Sequence, residues 1–132
     1  DNSGNTTYYS TDGNEETGGA DGIEDYVERA TYDDNGNILA YSVDGDSETG
    51  GADGVVDVRY AYVYDMNGNL ISFTIYRDSE TPSFVETYTY DVRNKQIGLA
   101  RDGDVDAGGA DGTIDFEVSW SYGLQSTLIC EE

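Results

Sequence analysis

Histidine is absent from this chain, and cysteine, proline, methionine and tryptophan occur once each. Basic residues are scarce too, with 6 Lys and Arg against 28 Asp and Glu. Each shortage removes a class of function. Without histidine, neither a Ser-His-Asp triad nor a His-based zinc site can be built. A single cysteine, Cys130, excludes an internal disulfide framework. With no histidine to activate it, Cys130 reads as a small strand residue and not as a nucleophile. A net charge of −22 argues against binding nucleic acid or an anionic membrane, since both are polyanions. No apolar run is long enough to span a bilayer, so membrane insertion is not expected. The chain opens at Asp1 with neither a methionine nor a leader-like segment, which reads as a mature product or an excised domain.

What is present is aromatic and strand-forming. The 132 residues, 36% of them hydrophobic, suit one domain with a modest core and include 12 Tyr and 3 Phe. Disordered acidic chains are poor in such residues. Tyr, Val, Ile and Thr favour strands, while Gly, Asn and Asp supply turns. The expectation is all-β, with little or no helix.

An internal repeat organises the chain. Residues 12–43 align without gaps on 44–75, so that Asp12 falls on Asp44, Asp21-Gly22 on Asp53-Gly54, and Tyr32-Asp33 on Tyr64-Asp65. A further copy fills 101–132, and a damaged one fills 76–100. The damaged copy, "YRDSETPSFVETYTYD", keeps Ser79-Glu80-Thr81 and Tyr90-Asp91 but has lost the residues matching GGADGV. The acidic loop is therefore an addition to the scaffold and not a requirement of it.

Each copy reads as strand, acidic loop, strand, tight turn. In "VVDVRYAYVYD" Val56, Val58, Tyr60, Tyr62 and Tyr64 alternate with Asp57, Arg59, Ala61, Val63 and Asp65. Ile114, Phe116, Val118, Trp120 and Tyr122 repeat that pattern. The Asn-Gly pairs at 35–36 and 67–68 predict two-residue type I′ hairpins. The result is a single β domain, an antiparallel meander of about eight or nine strands with one apolar face. Closing into a barrel-like form or folding as a two-layer sandwich would bury that face. The acidic loops would then share one end and the Asn-Gly turns the other.

The acidic loops carry the functional expectation. They read "DGNEETGGADGIED" from Asp12, "DGDSETGGADGVVD" from Asp44 and "DGDVDAGGADGTID" from Asp102. So many carboxylates repel one another unless a cation joins them. Asp44, Asp46 and Glu48 stand at alternate positions, matched by Asp12, Asn14 and Glu16 and by Asp102, Asp104 and Asp106. Asp53, a backbone carbonyl at Val55 and Asp57 follow, matched by Asp21, Ile23 and Asp25 and by Asp111, Thr113 and Asp115. Calcium takes six to eight oxygens, which favours it over magnesium here. The rival reading is a salt-adapted surface of solvated turns without specific metal sites.

This spacing resembles the D-x-[DN]-x-D-G-x-x-D calcium loops of EF-hands, dockerins and the β-hairpins of integrin-like propellers. An insertion containing Gly-Gly-Ala departs from that pattern, and the strand flanks make the hairpin version the nearer likeness. "YDDNGN" and "YDMNGN" also resemble the YD-repeat hairpins of bacterial surface and toxin proteins. These resemblances imply a secreted or cell-surface β module, stiffened by about three calcium ions, with a structural or adhesive role. The metal-bearing end grasping a glycan or a surface protein is the alternative. An enzyme is not expected. Glu28 and Glu86, on the otherwise apolar face, are read as lying near an open rim or pairing with an arginine, not as an acid–base couple.

Overall fold

The computed structural model describes residues 5–12, 20, 22, 24–45, 51–77, 80–103, 109–122 and 128–130. Nine strands follow one another: β1 (Thr6–Thr11), β2 (Tyr26–Tyr32), β3 (Ile38–Asp44), β4 (Val58–Tyr64), β5 (Leu70–Arg77), β6 (Pro82–Tyr90), β7 (Gln96–Asp102), β8 (Phe116–Tyr122) and β9 (Leu128–Cys130). Their order in the sheet is their order in the chain. The described ladders are antiparallel throughout. The chain is thus an all-β antiparallel meander, and no helix occurs among the described residues. The barrel closure is not made. β1 and β9 are the two ends of the strand order, and no described ladder joins them.

The chain divides into two compact units, Asp1–Ala61 with Ile75–Glu80, and Tyr62–Thr74 with Thr81–Glu132. In the first, β2 is the centre: Tyr9 lies opposite Glu28 on β1, and Ala30 lies opposite Tyr41 on β3. Val27, Ala30 and Ile75 are its buried apolar residues. Tyr41 and Tyr60 pack tilted, ring centres 5.8 Å apart, as a cross-strand aromatic pair. In the second unit Phe73 touches Tyr62 at 5.2 Å and Phe84 at 6.3 Å. The strict alternation expected for β8 fails at its start. Phe116 is exposed and lies under the Arg101 guanidinium, 5.6 Å from its carbon.

The hairpin turns differ from the expected type I′. Gly36 N–H donates to Asp33 O at 3.1 Å, and Asp33 N–H donates to Asn37 O at 2.8 Å. That bonding spans a three-residue loop in which Gly36, at φ +86°, follows an ordinary turn. Asp33 sets it: its Oδ1 accepts the amides of Asn35 and Asn37, and its Oδ2 accepts the Asn37 side chain. Asp65 does the same with Asn67 and Asn69. In the damaged copy Asp91 accepts Arg93 and Lys95, and Asn94 takes the left-handed slot at φ +59°. Beyond the turns the pairing register shifts after Thr31 and after Thr89, where Leu39 and Ile97 are the extra residues on the returning strands. In all three turns an aspartate caps its own loop.

Candidate functional site

The loops are built from the ends inward. At each base an amide of the returning strand bonds the outgoing one: Asp25 N to Thr11 O, Asp57 N to Val43 O and Asp115 N to Arg101 O, at 2.8, 2.9 and 2.8 Å. The first carboxylate of each loop then turns inward. Asp44 accepts the amides of Asp53 and Gly54, both at 3.1 Å. Asp102 accepts those of Asp111 at 3.0 Å and Gly112 at 2.8 Å. Asp12 accepts the Gly22 amide at 2.8 Å. The last carboxylate bonds in the other direction, Asp57 to Gly45 N at 2.7 Å and Asp115 to Gly103 N at 2.8 Å. First and last residues are therefore reciprocal clamps.

The central bend has its own carboxylate. Asp53 accepts the Val55 amide, and Asp111 accepts the Thr113 amide, both at 2.8 Å. That bond is the first cause holding the Asp111 carboxyl below its usual range. Gly54 and Gly112, at φ +89° and +90°, permit the reversal that follows. Val55 and Thr113, whose carbonyls are the expected ligands, also enter the hydrogen-bond network through their amides.

Burial separates the clamps. Asp44 is 3% exposed and Asp102 8% exposed, with both oxygens of each bonded to amides. Buried carboxylates persist only with such partners. Asp12, Asp53, Asp111 and Asp115 are exposed, and Asp25 and Asp57 half-buried. Asn14, Glu16, Asp21, Ile23, Asp46, Glu48, Asp104 and Asp106 lie outside the described residues. Among the described residues, no three His, Cys, Asp or Glu side chains converge closely enough to hold an ion.

The loops pack on their neighbours through glycine. A β-carbon on Gly45 would stand 2.3 Å from Asp25 O, and one on Gly103 2.5 Å from Ser83 O. Ser83 is the damaged copy's counterpart of Asp25, and the Ala110 amide bonds the adjacent Pro82 carbonyl at 3.1 Å. So the third acidic loop rests on the shortened loop as the second rests on the first. A groove of about 570 Å³ remains in the first unit, lined by Gly22, Glu24, Arg29, Asp44 and Gly54 among others. The sequence reading did not single out Gly45 and Gly103. A glycine after the opening aspartate in every intact loop, Gly13 included, was the available signal.

The two face glutamates serve as hydrogen-bond acceptors. Glu28 accepts the hydroxyls of Tyr26 and Tyr41, which hold its carboxyl below the usual range. Glu86, 8% exposed, accepts Arg101 Nε and the Tyr88 hydroxyl. It pairs with an arginine, as one of the two sequence expectations had it. Burial, then the Glu86 carboxylate, pushes the Tyr88 hydroxyl up. Comparisons with protein families, with curated proteins and with solved structures give no match to this chain.

Proposed function

We propose that this chain is an extracellular calcium-binding β module whose three acidic loops each take an ion and are stiffened by it, in a structural or adhesive role. The observation that carries this reading is the shared frame of the second and third loops. In both, the first carboxylate receives the same two amides and the last receives the same one. That frame fixes the two ends from which the third- and fifth-position acids, Asp46 and Glu48 or Asp104 and Asp106, hang. The donor set is oxygen only, as a hard cation prefers. A carboxylate offers about four acceptor sites, so clamps holding one or two amides keep capacity for a metal. Ligands would be the clamps, the bend aspartates and the third- and fifth-position residues. Bound calcium supplies positive charge that offsets the repulsion within each loop.

The experiment is calcium titration by calorimetry, with melting curves in excess calcium and in chelator. Uptake is expected with dissociation constants of roughly 10⁻⁴–10⁻³ M, the range of extracellular modules. At a hundredfold excess over the dissociation constant, each ion adds about 2.7 kcal/mol to stability. Asp46→Ala and Asp104→Ala spare the clamps and should each remove uptake at one loop.

A second reading has an observation of its own. The described carboxylates already satisfy loop amides, so the acids also suit self-capped turns on a salt-adapted surface. Unchanged melting in chelator, together with no calcium uptake, selects that reading.

A further inference from the structure

The outer edge of β1, with which no described strand pairs, differs from the rest of the meander. Segment 5–11, Asn-Thr-Thr-Tyr-Tyr-Ser-Thr, carries no charge in a chain of net −22. Strands β2 to β8 each hold at least one charged residue. Edge strands ordinarily carry lysine, proline or a bulge that blocks further pairing. Over Thr6–Thr11 the β1–β2 ladder runs without a register shift, and the segment has neither lysine nor proline. Tyr8 and Tyr9 are 53% and 56% exposed. The Tyr32 amide donates to Asn5 O at 3.0 Å. Antiparallel alternation therefore turns the peptide groups of Asn5, Thr7, Tyr9 and Thr11 toward β2, and those of Thr6, Tyr8 and Ser10 outward.

What fits that edge follows from the repeat. β1 ends on the same base bond as β3 and β7, Thr11 O standing where Val43 O and Arg101 O stand. β3 and β7 each carry a hairpin partner on the side where β1 has no described one, β2 and β6 respectively. Tyr9 is the repeat counterpart of Tyr41. Tyr41 lies opposite Ala30 of β2 and donates its hydroxyl to Glu28, two residues earlier on that strand. Tyr9 lacks the strand partner: no described strand pairs with its outer side, and the residue is 56% exposed.

We propose that the outer edge of β1 is a docking site for an extended antiparallel strand of the β2 kind. Such a strand places a small uncharged residue opposite Tyr9, with a carboxylate two positions earlier to take the Tyr9 hydroxyl. Backbone pairing to Thr6, Tyr8 and Ser10 supplies affinity, and the carboxylate sets the register. The proposal does not depend on calcium.

The probe is a synthetic peptide of residues 25–33, "DYVERATYD", titrated by fluorescence anisotropy into the intact chain at a salt concentration that screens charge. Saturable binding is expected. Tyr8→Ala and Tyr8→Pro both lose the ring's contacts with Glu24 and Arg29, and only Tyr8→Pro also removes an outward amide, so Tyr8→Pro should bind about tenfold more weakly than Tyr8→Ala. A peptide with Glu28→Gln should bind several-fold more weakly, and Tyr9→Phe should abolish that difference. Hydrogen exchange on the unmodified chain gives a second readout, with the Tyr8 amide gaining protection on peptide addition while the Tyr9 amide is protected throughout. No saturable binding, equal binding by Tyr8→Pro and Tyr8→Ala, or no change in Tyr8 exchange overturns the proposal. Concentration-dependent dimers that Tyr8→Pro abolishes also overturn it, since the occupant is then a second copy's own edge.

Discussion

The carbonyl oxygen of Asp25 occupies the place a side chain on Gly45 would need, 2.3 Å from where its β-carbon would stand. The Ala52 amide nitrogen lies 2.8 Å from the same point, and both obstacles are backbone. Gly54, in the same loop, has a similar φ of +89° with nothing within 4 Å. The pair separates conformational cost from collision. Gly54→Ala should cost about 1–2 kcal/mol, the ordinary penalty of a β-carbon in left-handed backbone. Gly45→Ala adds a clash that only backbone movement relieves, and should cost on the order of 3 kcal/mol or more. Urea unfolding of the two variants measures the difference, and equal losses would show that the second loop does not rest on the first.

The turn glycines make a milder test. Gly36 and Asn94 hold the same left-handed slot in different copies, and no atom lies within 4 Å of a β-carbon at Gly36. Gly36→Ala should cost about 1–2 kcal/mol. Asn94→Gly should be neutral to stabilising, since the relief of β-carbon strain is set against the freedom that a glycine gains in the unfolded chain. Thermal melts decide it, and a large loss in Asn94→Gly would mean that the bond between the Asn69 side chain and Asn94 Oδ1, 3.1 Å long, outweighs the strain.

Much of this architecture was legible because a strand has a period of two. Val63 alternates with Tyr62 and Tyr64, and in the structure Val63 is exposed while both tyrosines are half-buried. The turn was misjudged by one residue. Asn35-Gly36 has the composition of a two-residue turn, but Asp33 caps Asn35 and Asn37 and widens the loop. The recurring slots of Asp44 and Asp57 were visible as repetition. Their partners were not, because an acceptor nine or twelve residues from its amide leaves no local pattern. Closure into a barrel was beyond reach for a different reason: alternation identifies an apolar face without saying what covers it.

The turn aspartates predict how stability responds to acid. Asp65 is held below its usual range first by the Asn69 side chain and then by the Asn69 amide, and Asp33 first by the Asn37 side chain. A carboxyl whose folded pKa is depressed contributes stability that is present above the unfolded value and lost as pH falls through the folded one. For these groups the loss begins near the ordinary aspartate value of about 3.9 and proceeds below it. Asp65→Asn should therefore lower the melting temperature at pH 7, with the gap to the unmodified chain closing as the pH falls past about 4. A gap that stays constant down to a pH of about 2 would mean the carboxylate charge contributes nothing to the turn.

Glu86 and Arg101 face each other across the β6–β7 ladder, and their ion pair holds a carboxylate that is almost wholly covered. The repeat counterpart of Arg101 is Val43, and there Glu28 relies on two tyrosine hydroxyls instead. The second solution is closed to Glu86 in its full form, since Tyr88 supplies one hydroxyl and Phe84 stands where Tyr26 would supply the other. Arg101→Met should thus strand a covered charge and cost about 1–3 kcal/mol, the penalty of an unsatisfied group moderated by the exposed arginine side of the pair. Glu86→Gln in the same chain removes the charge and should restore most of that loss. Adding Phe84→Tyr to Arg101→Met should recover part of it by the route Glu28 uses. Denaturant unfolding of these variants beside the unmodified chain measures the coupling, and additive losses for Arg101→Met and Glu86→Gln would show that the ion pair is not what keeps Glu86 in place.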